Sequence, residues 1–271
     1  MSLSELLHAD IISLSPSASL LQCAALMMRH KIGSIFVGSE RNYLGIITES
    51  DLVRKGISQS VSPETPVEKL MSRPIVEVDI DRSPIEANHL MHLNAIRHLA
   101  VTRDGKTVGM ISVRDLVRYF SRQEHGPAQE LGDIYQPLSA LVQRHIVAAA
   151  LDLPVRQAAG LMATHKIGSL VVKNESGFVG IVTESDLVRK VLGFGLNPAQ
   201  IPIGTVMNVP LISIDLNSSV DDASMMMASR GVRHLAVSEQ GQIIGILSIR
   251  DLIAILSIRD LPRFLSEKKK A

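Results

Sequence analysis

Residues 45–55 read Gly-Ile-Ile-Thr-Glu-Ser-Asp-Leu-Val-Arg-Lys, and residues 180–190 repeat them with one change, Ile47 against Val182. Two weaker copies follow the same pattern. Residues 109–116 read Gly-Met-Ile-Ser-Val-Arg-Asp-Leu, and residues 245–252 read Gly-Ile-Leu-Ser-Ile-Arg-Asp-Leu. The stretches upstream repeat in step: His30-Lys31-Ile32-Gly33-Ser34 matches His165-Lys166-Ile167-Gly168-Ser169, and Ile96-Arg97-His98-Leu99-Ala100-Val101 matches Val232-Arg233-His234-Leu235-Ala236-Val237. The order is therefore A-B-A′-B′, in units of about 65 residues, and every local reading has to hold at four positions. One duplication giving AB, followed by a second giving AB-A′B′, accounts for A being closer to A′ than to B.

Each unit has the same coarse pattern. A short extended piece opens it: Ile11-Ile12-Ser13-Leu14, Ile75-Val76-Glu77-Val78, Ile146-Val147 and Leu211-Ile212-Ser213-Ile214. A polar or proline turn follows, then a helix with apolar spacing, as from Leu20 to His30. Two apolar strands come next, Ser34 to Val37 and Tyr43 to Thr48, joined by the polar turn Ser39-Glu40-Arg41-Asn42. Arg103-Asp104-Gly105-Lys106 and Glu239-Gln240-Gly241-Gln242 are the corresponding turns with glycine. A second helix begins at Glu49. The unit is β-α-β-β-α, an α/β chain of the α+β type. Four such units could also supply an eight-stranded β/α barrel, but a tight turn makes two strands antiparallel and the barrel needs parallel ones, so the barrel is excluded.

Composition agrees with a core of aliphatic side chains: 46% of the residues are hydrophobic, only 3% aromatic, and there is no Trp. Met27, Met91, Met162 and Met227 fall at one equivalent helical position and read as core filler. Cys23 aligns with Ala87, Ala158 and Ala223 and reads as a small buried residue. The single cysteine makes no internal disulfide, and a cytoplasmic setting is expected. A net charge of +1 argues against nucleic acid as the primary partner. The first residues carry no basic and apolar signal-peptide regions, and no apolar run nears the ~18 residues of a membrane span. No membrane partner is expected.

The duplicated motif stands where a strand hands over to a helix. Thr48 at a helix start, with Asp51 three residues on, forms a capping box on its own. The same pair at one place in all four units asks for more. A hydroxyl can bond a sugar or a phosphate, whereas an ionised Asp is an acceptor only and suits a ribose diol. Hydroxyl and carboxylate beside the free N–H groups of a helix start suggest a nucleoside carrying an anionic group.

The pattern resembles the CBS domain family, whose nucleotide-binding signature is Gly-hydrophobic-x-Thr/Ser-x-x-Asp. The resemblance runs from about Ser4 to Leu256 and divides the chain into repeats at 1–58, 66–124, 138–193 and 202–265, with a linker at 125–137. It implies four CBS repeats paired into two Bateman modules, stacked as a disc within one chain, with adenine nucleotides or S-adenosylmethionine bound in the inter-domain clefts. It also implies roles for residues. Asp51, Asp115, Asp186 and Asp251 would hold ribose hydroxyls, and Thr48, Ser112, Thr183 and Ser248 would hold ribose or phosphate oxygens. Adenine would lie near Ile11, Ile75, Ile146 and Leu211.

The units differ in charge. A and A′ carry Glu49 and Glu184 just after the threonine, where a carboxylate competes with phosphate. B and B′ carry Arg114 and Arg250 just before the aspartate, where a guanidinium can grip phosphate or form a surface ion pair. The family often places His and Arg upstream to contact phosphate. Here B and B′ offer Arg97-His98 and Arg233-His234 in swapped order, against Gly33-Ser34 and Gly168-Ser169 in A and A′. Tighter phosphate binding is therefore expected at Ser112/Asp115 and Ser248/Asp251. No metal site is assigned. The second Leu-Ser-Ile-Arg-Asp-Leu at 256–261 is displaced by nine residues, about half a helical turn, and is not expected to be a fifth site.

Three functions remain in view. The first is a non-catalytic regulatory module that binds adenosine nucleotides, with or without Mg²⁺, has no obligatory cofactor, and signals to an effector protein through module arrangement. The second is a metal-assisted hydrolase, disfavoured because no base or nucleophile pair stands out. The third is a ligand-free scaffold that serves oligomerisation. The sequence names no effector and leaves homo-oligomer formation open.

Overall fold

The computed structural model describes residues 2–39, 42–122, 138–252 and 254. The expected linker at 125–137 and the second copy at 256–261 lie outside them. Repeat 1 runs β1 (Ser13–Leu14), α1 (Leu20–His30), β2 (Ser34–Ser39), β3 (Asn42–Thr48) and α2 (Glu49–Asp51), continued with π-helical spacing over Leu52–Ile57. Repeat 2 runs β4 (Glu77–Asp79), α3 (Pro84–Leu93), β5 (His98–Arg103), β6 (Lys106–Ser112) and α4 (Val113–Arg122). Repeat 3 runs β7 (Ala148–Ala150), α5 (Val155–His165), β8 (Ser169–Asn174), β9 (Gly177–Thr183) and α6 (Glu184–Lys190). Repeat 4 runs β10 (Ser213–Asp215), α7 (Val220–Arg230), β11 (His234–Glu239) and β12 (Gln242–Ser248), with residues 249–252 helical beyond it.

Every repeat builds its own three-stranded sheet, first strand parallel to the second and second antiparallel to the third. That topology excludes the barrel. The first strand of repeat 3 lies over Ala148–Ala150, just beyond the expected Ile146-Val147. Alanines have low strand propensity, so pairing with Val171–Lys173, not side-chain type, sets the strand there.

The first helices follow from capping and spacing. Ser19 accepts the Gln22 N–H while Gln22 accepts the Ser19 N–H, and Ser83/Glu86 and Ser219/Asp222 repeat this box. Leu20, Cys23, Ala24 and Met27 share the buried face of α1. The four equivalent methionines are all at most 1% exposed, as filler should be. Cys23, Ala87, Ala158 and Ala223 are fully buried. Burial, and next the charge of Asp51, push the Cys23 thiol up to about 12.

A further segment closes the outer edge of each third strand through an antiparallel bridge: Ser72 on Ile46, His8 on Met110, Asn208 on Ile181 and Gln143 on Ile246. Its close approach explains the motif glycine. A Cβ on Gly45, Gly109, Gly180 or Gly245 would stand 2.5–2.8 Å from the carbonyl oxygen of Ser72, His8, Asn208 or Gln143. The segment before Ile11 therefore packs on repeat 2, with the Leu3 N–H bonded to the Ile80 carbonyl.

Two compact units result. Repeats 1 and 3 form one, over Ile11–Ile75 and Ile146–Leu211; repeats 2 and 4, with the segment before Ile11, form the other. In the first unit α1 packs on α6 and α5 on the continuation of α2. Glu49 and Glu184, both 0% exposed, lock this packing reciprocally. Glu49 accepts from Ser185 Oγ and pairs with Arg189 at 2.8 Å; Glu184 accepts from Ser50 Oγ at 2.9 Å and pairs with Arg54 at 3.2 Å. In the second unit α4 packs on α7, and Val113 and Ile249 occupy the positions of the two glutamates as buried apolar residues.

Candidate functional site

The strand-to-helix turn brings the motif hydroxyl and carboxylate together in all four repeats. Asp51 Oδ2 accepts the Thr48 N–H at 3.0 Å and the Thr48 hydroxyl at 2.7 Å. Asp186 does the same with Thr183 at 2.9 and 2.6 Å, Asp115 with Ser112 at 2.8 and 2.6 Å, and Asp251 with Ser248 at 2.7 and 2.7 Å. Each hydroxyl gives its proton to its own carboxylate. Towards anything else it is an acceptor, so both groups face a ligand as acceptors. Such a pair fits the O–H donors of a diol and does not fit a phosphate oxygen.

The remaining capacity of the carboxylates differs between units. Asp51 Oδ1 meets Lys55 Nζ at 2.6 Å and Ser72 Oγ at 3.0 Å. Asp186 meets Lys190 Nζ at 2.8 Å on Oδ1 and Asn208 Nδ2 at 2.8 Å on Oδ2. Asp115 Oδ1 lies 3.0 Å from Nε2 of His8, whose side chain is 64% exposed. Asp251 meets, among the described residues, no donor beyond those of Ser248. Lysine four residues after the aspartate is present only in repeats 1 and 3; Tyr119 and Ile255 stand there in repeats 2 and 4.

The upstream residues of repeats 2 and 4 join the same corner. His98 is the cross-strand partner of Ser112, and His234 of Ser248, where repeats 1 and 3 have Ser34 opposite Thr48 and Ser169 opposite Thr183. The carbonyls of Arg97 and Arg233 accept the N–H groups of Val113 and Ile249, at 2.9 Å each, so both arginines stand beside the helix start. Arg114 lies on the face of α4 turned to repeat 4, lining a cleft with Arg118, Met227, Ala228, Gly231 and Val232. It holds the helix position that Ser50 has in repeat 1, and Arg250 holds that of Ser185. Ile11, Ile75, Ile146 and Leu211 are half-buried. Each directly precedes a residue whose carbonyl accepts from the second strand of its sheet: Ile12 from Phe36, Val76 from Ala100, Val147 from Val171 and Ile212 from Ala236.

One expectation needs correction. Glu49 and Glu184 do not stand against a phosphate; both carboxylates are turned into the contact between repeats 1 and 3 and are neutralised there by Arg189 and Arg54. What separates the two pairs of repeats at the aspartate itself is the lysine paired with it in repeats 1 and 3. Sequence reading missed Lys55, Lys190, Ser72, Asn208 and His8. The lysines left a signal, since the two best-preserved motif copies both end in Lys and the weaker two do not. Among the described residues no group of three or more His, Cys, Asp or Glu side chains is placed to hold a metal ion, and no helix is long and apolar enough to cross a membrane.

Comparison with known proteins bears on the whole chain. The CBS domain family profile matches residues 3–58, 61–122, 138–193 and 203–258. Protein MJ1225 of Methanocaldococcus jannaschii, proposed as an archaeal homologue of g-AMPK, superposes with a TM-score of 0.76 at 15% identity, over 94% of this chain and 99% of that one. An uncharacterised protein of Pyrococcus horikoshii superposes with a TM-score of 0.60 at 21% identity, over 94% and 100%. At these identities the likeness concerns the fold. The uncharacterised protein MK0525 of Methanopyrus kandleri is 32% identical over 114 residues, 41% of this chain and 58% of that protein, so the match spans little more than half of that relative. Four profile matches, each opening on the edge-closing segment and running through the strand-to-helix turn, make this chain a member of the CBS domain family.

Proposed function

We propose that the chain is a non-catalytic regulatory protein that binds adenosine nucleotides, or S-adenosylmethionine, at Ser112/Asp115 and Ser248/Asp251. The observation that carries this reading is the double acceptor: a hydroxyl and a carboxylate bonded to each other, with a carboxylate oxygen in repeats 2 and 4 that no lysine covers among the described residues. Ribose hydroxyls would donate to it. The phosphate or carboxylate end would be met by Arg97, His98, Arg233 and His234, with Arg114 and Arg250 contributing charge from the helix face. Mg²⁺ would enter only with a di- or triphosphate. Thr48/Asp51 and Thr183/Asp186 are the same constellation with weaker access. Binding would bias the arrangement of the repeats, and the bias becomes a signal when an effector protein prefers one arrangement.

The test is calorimetric titration of the chain with AMP, ADP, ATP and S-adenosylmethionine, compared with the Asp115→Ala/Asp251→Ala double variant. The account predicts saturable binding of one of these ligands and at least about a tenfold loss in the double variant, the worth of a hydrogen bond to a charged group, with the unfolding midpoint little changed. Equal affinity in the double variant contradicts it. No binding by the parent chain to any of the four favours a protein of assembly only.

A further inference from the structure

The four motif carboxylates differ in how many donors they already hold. A carboxylate has two oxygens and about four lone-pair directions. Asp51 is met by four donors: the Thr48 N–H, the Thr48 hydroxyl, Lys55 and Ser72. Asp186 is met by four: the Thr183 N–H, the Thr183 hydroxyl, Lys190 and Asn208. Among the described residues Asp115 has three, the third being the exposed His8, and Asp251 has two. The lysines are also held from behind. Lys55 Nζ donates to the Leu70 carbonyl at 2.9 Å and to Ser72 Oγ at 3.3 Å, and Lys190 Nζ to the Val206 carbonyl at 2.7 Å and to Asn208 Oδ1 at 3.0 Å. Each ammonium therefore bridges the aspartate to the edge-closing segment.

We infer that Lys55 and Lys190 are specificity-determining residues that close the diol sites of repeats 1 and 3, leaving repeats 2 and 4 as the ones that take a ribose. This rests on the proposed nucleoside reading and goes beyond it by assigning the choice among four near-identical motifs to one side chain. A ribose diol brings two donors and needs a carboxylate with acceptor capacity left. In repeats 1 and 3 it must displace an ammonium that holds a carboxylate oxygen and a backbone carbonyl together. In repeat 2 it displaces one exposed imidazole, and in repeat 4 it finds the capacity open among the described residues. Lysine and ribose compete for one oxygen, so opening the site takes no change in fold.

The experiment starts from the Asp115→Ala/Asp251→Ala background, in which only repeats 1 and 3 keep the motif. AMP titrated into this variant is expected to give at least about tenfold weaker binding than the parent chain. Adding Lys55→Met and Lys190→Met is expected to restore binding at two sites, by about tenfold or more, in a chain whose circular dichroism matches the parent. Loss in the double variant without restoration in the quadruple variant overturns the lysine assignment while leaving the nucleoside reading in place. Undiminished AMP binding in the double variant overturns the lysine assignment together with the placing of the nucleotide at Ser112/Asp115 and Ser248/Asp251. Should the lysine changes prevent folding, the reverse substitution decides: Tyr119→Lys in the otherwise unchanged chain places an ammonium four residues after Asp115 and is expected to remove one of two AMP sites, and an unchanged stoichiometry overturns the inference.

Discussion

Repeats 1 and 3 and repeats 2 and 4 start from the same strand-to-helix turn and use it differently. In the first pair the residue after the hydroxyl is a glutamate that reaches into the facing repeat, and the residue four after the aspartate is a lysine that folds back on it. In the second pair these positions carry Val113 and Ile249, and Tyr119 and Ile255. The first pair directs its polar groups to one another. The second packs Val113 and Ile249 at the glutamate positions, and among the described residues its carboxylates meet fewer donors. The four repeats thus share one strand-to-helix turn, and the residues at these two positions divide them into two pairs. The same code matches the observed partners: Glu49 needs Ser185 and Arg189, and Glu184 needs Ser50 and Arg54, which repeats 2 and 4 do not carry at both places.

The largest expected effect breaks this comparison at its charged contact. Glu49→Val installs the residue of repeat 2 in repeat 1 and leaves Arg189 and Ser185 without their buried acceptor. It is expected to cost about 3–5 kcal/mol in urea unfolding, the usual penalty for removing one partner of a buried pair. Val113→Ala at the equivalent place should cost about 2 kcal/mol, since only methyl groups are lost. Equal costs at the two positions would mean that the two units are held by the same forces.

A smaller effect distinguishes repeat 1 from the other three. Cys23 stands where the others have alanine, and its folded-state thiol is raised from 9.0 to about 12. A raised folded value means that the unfolded chain loses its proton first. The contribution is fully present below pH 9 and is lost as pH rises towards 12, by about 1.4 kcal/mol per pH unit. Denaturant melts at pH 8 and pH 10 should show that loss in the parent chain. Cys23→Ala, the residue the other repeats already use, should remove about 1.4 kcal/mol of the difference. An identical pH dependence in the variant would place the thiol in a more exposed setting than its full burial indicates.

Much of the fold was legible because it is local. The helix at Leu20–His30 follows from its apolar spacing, and the antiparallel hairpins follow from their short turns. The core positions of the methionines and of Cys23 follow from the repeat itself, since four copies filter out chance. The Thr48/Asp51 box was legible too, since its partners are three residues apart. What escaped is long-range. Ser72 and Asn208 reach the motif from more than twenty residues downstream, and His8 reaches Asp115 from 107 residues upstream. No periodicity points to such pairs. The exchange between repeats 1 and 3 escaped because a carboxylate at a helix start reads as a competitor of phosphate, and its partners Arg189 and Arg54 lie more than a hundred residues away. Ala148–Ala150 escaped because its strand character comes from its neighbour.

The most direct measurement is the stoichiometry of AMP binding to the unaltered chain by titration calorimetry. If the carboxylates of repeats 2 and 4 are the receptive ones, two equivalents bind tightly and any further binding is at least about tenfold weaker. Four equal sites would contradict the division between the two pairs of repeats, and no saturable heat with AMP, ADP, ATP or S-adenosylmethionine would contradict the nucleoside reading itself.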